Sequence, residues 1–286
     1  MKKLYSALII DIVKSKSYSI ENRNHIQRLL FYTIDALNQL CGDQMLRPVD
    51  FSAGDEIQGL FASPESAYMY YRLVSLILHP IKIRAGIGIG SWDVQLVDKG
   101  TTGQDGTAYH YARHAIENTD AGEGYPVLMF TNTYSDRIIN AVIGSASAIT
   151  DTQSTYQNHL MLLLEFIFPV MYNSEQCMPF AIPSFVADLL QRKSEFNHLF
   201  ERLDKELPLD RANYLLDYTS YSSDAYKEDT FFVTSGRQRG VSIILEEILG
   251  ISRQSIDKTI KASNIFTARN MAIAAIQELH HKRQEE

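Results

Sequence analysis

The chain has 286 residues, 45% of them hydrophobic, and a net charge of −7, enough apolar material for a buried core in one large domain or two smaller ones. The acidic balance excludes bulk, sequence-blind attraction to nucleic acid or to an anionic membrane and leaves local basic patches as the route to DNA. Its two cysteines, Cys41 and Cys177, lack metal, redox or disulfide spacing, which points to a reducing compartment and a cytoplasmic protein.

Residues 4–13 are a short aliphatic run ended by Asp11, and with no small-residue cleavage site behind it this is a core strand rather than a signal peptide. The greasiest segment, His159 to Tyr172, contains Glu165 and Pro169 and is shorter than the roughly 20 apolar residues a spanning helix needs, so no membrane partner is expected. From Glu21 to Cys41, Ile26, Leu29, Leu30, Ile34, Leu37 and Leu40 recur at helical spacing. Gly42-Asp43 ends that helix, and strands at 46–51 and 56–61 follow, joined by a hairpin tip at Gly54-Asp55. Ser63-Pro64 is a helix start, and the helix runs to about His79. Ile81, Ile83, Ala85, Ile87 and Ile89 then alternate with Lys82, Arg84, Gly86 and Gly88, the period of a strand with one buried face, and Trp92 to Val97 is expected to be another strand. A Gly-containing loop at 98–106 precedes a helix carrying Ala108, Ala112, Ala115 and Ile116 on one face. Pro126 to Thr131 reads as a late strand and 132–147 as weakly helical.

This order predicts an α+β fold: a ferredoxin-like βαββαβ domain at 1–150 with helices on one face and the first strand beside the third. Residues 151–215 form a helical connector with a long helix at 184–206. Residues 216–286 form a second domain in which a short helix at 241–249, a turn at Gly250-Ile251-Ser252 and a helix at 253–263 have the outline of a helix-turn-helix.

In that geometry Asp11, at the end of the first strand, and Asp55, at the hairpin tip, face one gap. Magnesium is often held by one or two carboxylates plus substrate phosphates, so the pair is a candidate Mg2+ or Mn2+ site. Each aspartate alone has the plainer reading of strand end or turn former. Glu56 is expected on the opposite face and is not counted as a ligand. Lys14, Ser15 and Lys16, just past Asp11, offer ammonium and main-chain N–H groups to phosphate.

Asp11-Ile12-Val13, Gly54-Asp55-Glu56, the strand Arg84 to Gly90 and an Arg-bearing helix after a Gly-rich loop together resemble the class III adenylate and guanylate cyclase domain. More closely, the chain is similar to the SatD family, notably at 105–116 and in the C-terminal helices. The resemblance implies that Asp11 and Asp55 bind metal, that Arg113 is the catalytic arginine, and that Tyr109 stands where cyclases carry Asn. It also implies that Phe51, at the base-selecting position, stacks on a nucleotide without reading its edge. Because cyclases draw metal and arginine from different subunits, it implies a homodimer.

In the second helix of the tail, Arg253, Gln254, Ser255, Lys258 and Lys261 lie on or near the outward surface, while Ile256 and Ile260 face inward. This is the arrangement of a DNA-reading helix. Three functions remain open on these residues: a regulator that couples nucleotide and metal binding to DNA binding, an active nucleotidyl cyclase, and a catalytically dead scaffold for protein contacts.

Overall fold

The computed structural model describes residues 3–96, 100–120, 122–170, 184–200, 207, 231–234, 236–237 and 240–285. Five strands, β1 (Tyr5–Ile12), β2 (Met45–Ala53), β3 (Glu56–Phe61), β4 (Ile83–Gly90) and β5 (Val127–Phe130), form one sheet in the order β2-β3-β1-β4-β5. β1 is central because it is aliphatic on both faces. It pairs antiparallel with β3 and with β4, and β5 joins β4 in parallel.

Helices α1 (Ile20–Leu40) and α2 (Pro64–Leu78) cover the sheet face to which Leu8, Ile10 and Ile12 point. α2 starts where Ser63-Pro64 places it, with Ser63 accepting from Ser66 N, and α1, which the periodicity marks from Glu21, starts at Ile20 with Ser19 accepting from Asn22 N. The expectation of helices on one face needs correction, because α3 (Thr107–Glu117) lies on the other. It packs over Ala7, Ile9 and Leu60 through Ala108, Ala112 and Ile116. The physical reason is β4, whose Gly86 and Gly88 leave no side chain between strand and helix, so α3 rests on backbone. Trp92 to Leu96 makes a single bridge, Val94 to Asp105, rather than a strand. The Gln104 amide takes the partners a strand would need, accepting from Leu96 N at 3.2 Å and donating to Leu96 O at 2.8 Å. Val97 lies outside the described residues.

α4 (Asp136–Asp151), α5 (Thr155–Ile167) and α6 (Ser184–Phe200) follow; the expected continuation of α6 over 201–206 lies outside the described residues. α7 (Val241–Leu249), α8 (Arg253–Ala262) and a long α9 (Ile265–Glu285) end the chain. α9 packs on α4, α2 and α8, and one hydrophobic cluster runs from Leu8 through to Leu279. Within it Glu165, wholly buried on α5, pairs with Arg72 of α2 at 2.6 Å and with Arg269 of α9 at 3.0 Å.

A second buried polar cluster has a pH consequence. Lys193 of α6 is fully enclosed and donates to the carbonyls of Ile77 and His79 at 2.9 Å each. Burial, reinforced by that ammonium, pushes His79 down to about 3 and His159 down to about 2. Both imidazoles are therefore neutral in the folded chain, while the unfolded chain protonates them below about 6.5. The stability they confer is complete above that value and is lost as pH falls toward about 3. At pH 5 each histidine is expected to cost about 2 kcal/mol. Denaturant titrations from pH 7.5 to 5 should show a slope reduced by about one proton in His159→Asn; an unchanged slope would contradict the assignment.

Candidate functional site

The β2–β3 turn is made by Gly54, whose φ of 64° puts it in the left-handed region. That turn presents Asp55 toward α1. At the exit of β1, Lys14 also adopts positive φ, 54°, and its carbonyl accepts from Ser17 N at 2.8 Å and Ser17 Oγ at 2.7 Å. The chain folds back there into a turn of 3-10 helix at Ser15–Ser17. Ser15 and Lys16 consequently line a cavity of about 180 Å³ with Gly54 and Asp55, and Arg23 and Gln27 of α1 form its far wall. Asp55 Oδ2 is buried in this setting with no hydrogen-bond partner among the described residues. An ionised oxygen in that position is costly unless a cation meets it, so the donor chemistry at Asp55 fits a hard divalent ion.

Asp11 does not line this cavity. Its neighbours Ile10 and Ile12 point toward α1 and α2, so the pleat turns Asp11 to the α3 side. There its Oδ2 accepts from Arg84 Nε at 2.9 Å and Arg84 Nη2 at 2.6 Å. Beside this pair, Glu56 takes a bidentate bond from Arg113 of α3, at 2.6 and 2.8 Å. The Arg113 hydrogen bond, opposed by partial burial and helped by Ser52, holds the Glu56 carboxyl below its ordinary range. Four charges thus meet at the sheet end under α3. The expected gap between Asp11 and Asp55 is replaced by two sites on the two faces, and the expectation that Glu56 turns away from Asp55 is met. Sequence reasoning missed the role of Glu56 beside Asp11. The signal for it was the antiparallel register, which ends with Ile10 opposite Ile57 and so leaves Asp11 and Glu56 as the next residues along the two strands.

Of the other proposed nucleotide contacts, Lys14 forms the turn and leaves the lining to Ser15 and Lys16. Phe51 sits in a second, open hollow of about 540 Å³ with Arg28, Phe31 and Tyr32, and Gln27 borders both hollows. Tyr109 is elsewhere, buried among Ala7, Ile9 and Leu60 with its hydroxyl unpartnered among the described residues, and burial raises its pKa.

At the tail, Gly250 closes α7 with φ 62°, and Ser252 caps α8 by accepting from Ser255 N. Glu246 accepts from Arg253 N at 3.0 Å, which explains an acid at that position. Ile256 and Ile260 are buried. Arg253, Gln254, Lys258 and Lys261 are exposed, whereas Ser255 is half-buried on the flank. Arg269, which adds to the positive charge of this segment when counted by sequence, is interior. Of Arg237 and Arg239, which the sequence offers as further phosphate contacts just ahead of this unit, Arg237 is exposed and Arg239 lies outside the described residues.

Fold and site define a mixed α+β protein with a charged sheet end and a C-terminal helix that exposes Arg253, Lys258 and Lys261. The SatD family matches residues 5–178, more than half of the chain, and the protein belongs to that family. No curated protein matches it. No helix among the described residues is long and apolar enough to cross a membrane.

Proposed function

We propose that this protein is a cytoplasmic regulator in which a ferredoxin-like, cyclase-type domain binds a nucleotide together with Mg2+ or Mn2+, and a C-terminal helix-turn-helix binds DNA. The observation that carries the reading is the unpartnered, buried oxygen of Asp55 in a cavity walled by Ser15, Lys16 and Arg23. A divalent ion there would neutralise phosphate charge. Lys16 and Arg23 supply further positive charge, and the adjacent hollow at Phe51 and Phe31 offers rings for a base to stack on. Asp11 joins the metal only by exchanging Arg84, its present partner. The placement of β1 between β3 and β4 supports the cyclase-type reading, and the exposed Gln254 and Lys258 support the DNA-reading one.

Binding is favoured over turnover because Arg113 is clamped by Glu56 on the face away from Asp55, Tyr109 is buried, and Phe51 has no polar edge. An active cyclase is the second reading; in it, a partner copy would present its arginine to Asp55, as the family resemblance implies. Incubation with each nucleoside triphosphate and Mn2+ separates the two, and no cyclic product is expected. A scaffold without ligands would bind neither metal nor nucleotide.

Calorimetry should show metal-dependent nucleotide binding that weakens at least tenfold in Asp55→Asn, which removes the ionised oxygen and leaves the turn intact. Undiminished binding would refute the site. For the tail, Lys258→Ala should weaken DNA binding about equally across sequences and flatten its salt dependence by about one unit; an unchanged salt slope in fluorescence anisotropy would count against α8 as the reader.

A further inference from the structure

A cavity of about 800 Å³ lies between the start of α7, the flank of α8 and the start of α9. It is far larger than the hollow at Asp55 and falls within the range of small-molecule sites. Among the described residues its wall carries three cations, Arg237, Arg253 and Lys261, against a single acid, Asp257. The acid is already engaged, accepting from the Ser242 hydroxyl and lying 3.9 Å from Arg253. Arg237 lies over the Phe266 ring at 6.0 Å. Among the described residues neither Arg237 nor Lys261 has a carboxylate partner. Like charges gathered on a concave wall raise its potential and favour an anionic occupant.

We propose that this cavity binds a phosphorylated small molecule of nucleotide size, without metal and independently of the Asp55 site. Arg237 and Lys261 hold its phosphates, and Phe266 with the buried Ile260 supplies apolar contact. A small molecule fits better than a DNA backbone because the lining residues Arg253, Asp257, Ile260 and Lys261 run along the flank of α8. Gln254 and Lys258, which a duplex would meet, do not line the cavity.

The test is calorimetry on the full chain in EDTA with ATP and inorganic pyrophosphate as probes. The expected result is binding of both probes to the wild type, unchanged in Asp55→Asn and weakened at least tenfold in the double variant Arg237→Gln with Lys261→Gln. Both of those side chains are exposed, and circular dichroism with Lys261→Gln alone guards against a folding artefact. Absence of binding in EDTA, equal loss in Asp55→Asn, or indifference to the double variant would each overturn the proposal. So would displacement of both probes by duplex DNA, which would make this wall part of the DNA-binding face. Because the Asp55 site is tested with metal and this one without, either can fail alone.

Discussion

Glu165→Ala is expected to lower the unfolding free energy by about 5 kcal/mol, the upper end of what removing one partner from a buried ion pair costs. The reason is what it leaves behind. Arg72 and Arg269 are 5% and 1% exposed, and both depend on the same Glu165 carboxylate. Without it, two guanidiniums are left in the interior, Arg269 with the carbonyls of Phe168 and Gly236 and Arg72 with Tyr68, and neither has another carboxylate among the described residues. Glu165→Gln, which keeps the shape and loses the charge, should fall between wild type and alanine. Replacing all three residues by apolar ones of similar volume should cost far less than Glu165→Ala, since desolvation offsets much of what the ion pairs contribute. Equilibrium denaturation of the three variants decides the matter, and a loss below about 1 kcal/mol in Glu165→Ala would mean that the arginines find other partners.

The triad also matters for communication. Arg72 is on the helix that directly follows β3, and β3 begins beside Asp55; Arg269 is on the helix that directly follows α8. Glu165 therefore joins the element behind the candidate nucleotide cavity to the element behind the candidate DNA-reading helix. Under this arrangement, Glu165→Gln should leave each binding activity in place and weaken the effect of nucleotide on DNA affinity.

Most elements up to residue 117 were legible because their periods are clean. Ile26 to Leu40 repeats every three to four residues, and the β4 run alternates strictly. What escaped was whatever depends on partners far along the chain. Glu165 reads as an interruption in a greasy segment, and nothing local pairs it with Arg72, 93 residues earlier. α9 escaped because much of its buried face is Ala268, Ala272 and Ala275 with Arg269 among them, a stripe of small residues with little contrast against its exposed side. At the candidate site, sequence order brought Asp11 and Asp55 to one end of the sheet. The pleat then placed their carboxylates on different faces, a matter of one residue in register. The period of β4 puts its glycines on the exposed side of a half-buried strand; they are instead the footprint of α3.

That footprint supports the second large expected effect, in Gly88→Ala. An added Cβ at Gly88 would fall within 2.7 Å of Tyr111 C and closer still to Ala108 O and Ala112 N. All three are backbone atoms of α3, so no side chain can rotate away to make room. The helix would have to rise by about 1 Å, and overpacking of this kind costs about 3 kcal/mol. Gly100→Ala, where no described residue lies within 4 Å of the new atom, is the control and should be nearly neutral. The displacement has a second readout at the site. Arg113 rides on α3 and reaches Glu56 at 2.6 Å, so raising the helix loosens the clamp, and the Glu56 carboxyl should titrate closer to its ordinary range. NMR titration of the Glu56 side chain, alongside denaturation, would measure both effects. Should Gly88→Ala lose stability with no change at Glu56, α3 would be yielding locally at Gly88, and the position of Arg113 would be set by its bond to Glu56 rather than by the glycine stripe.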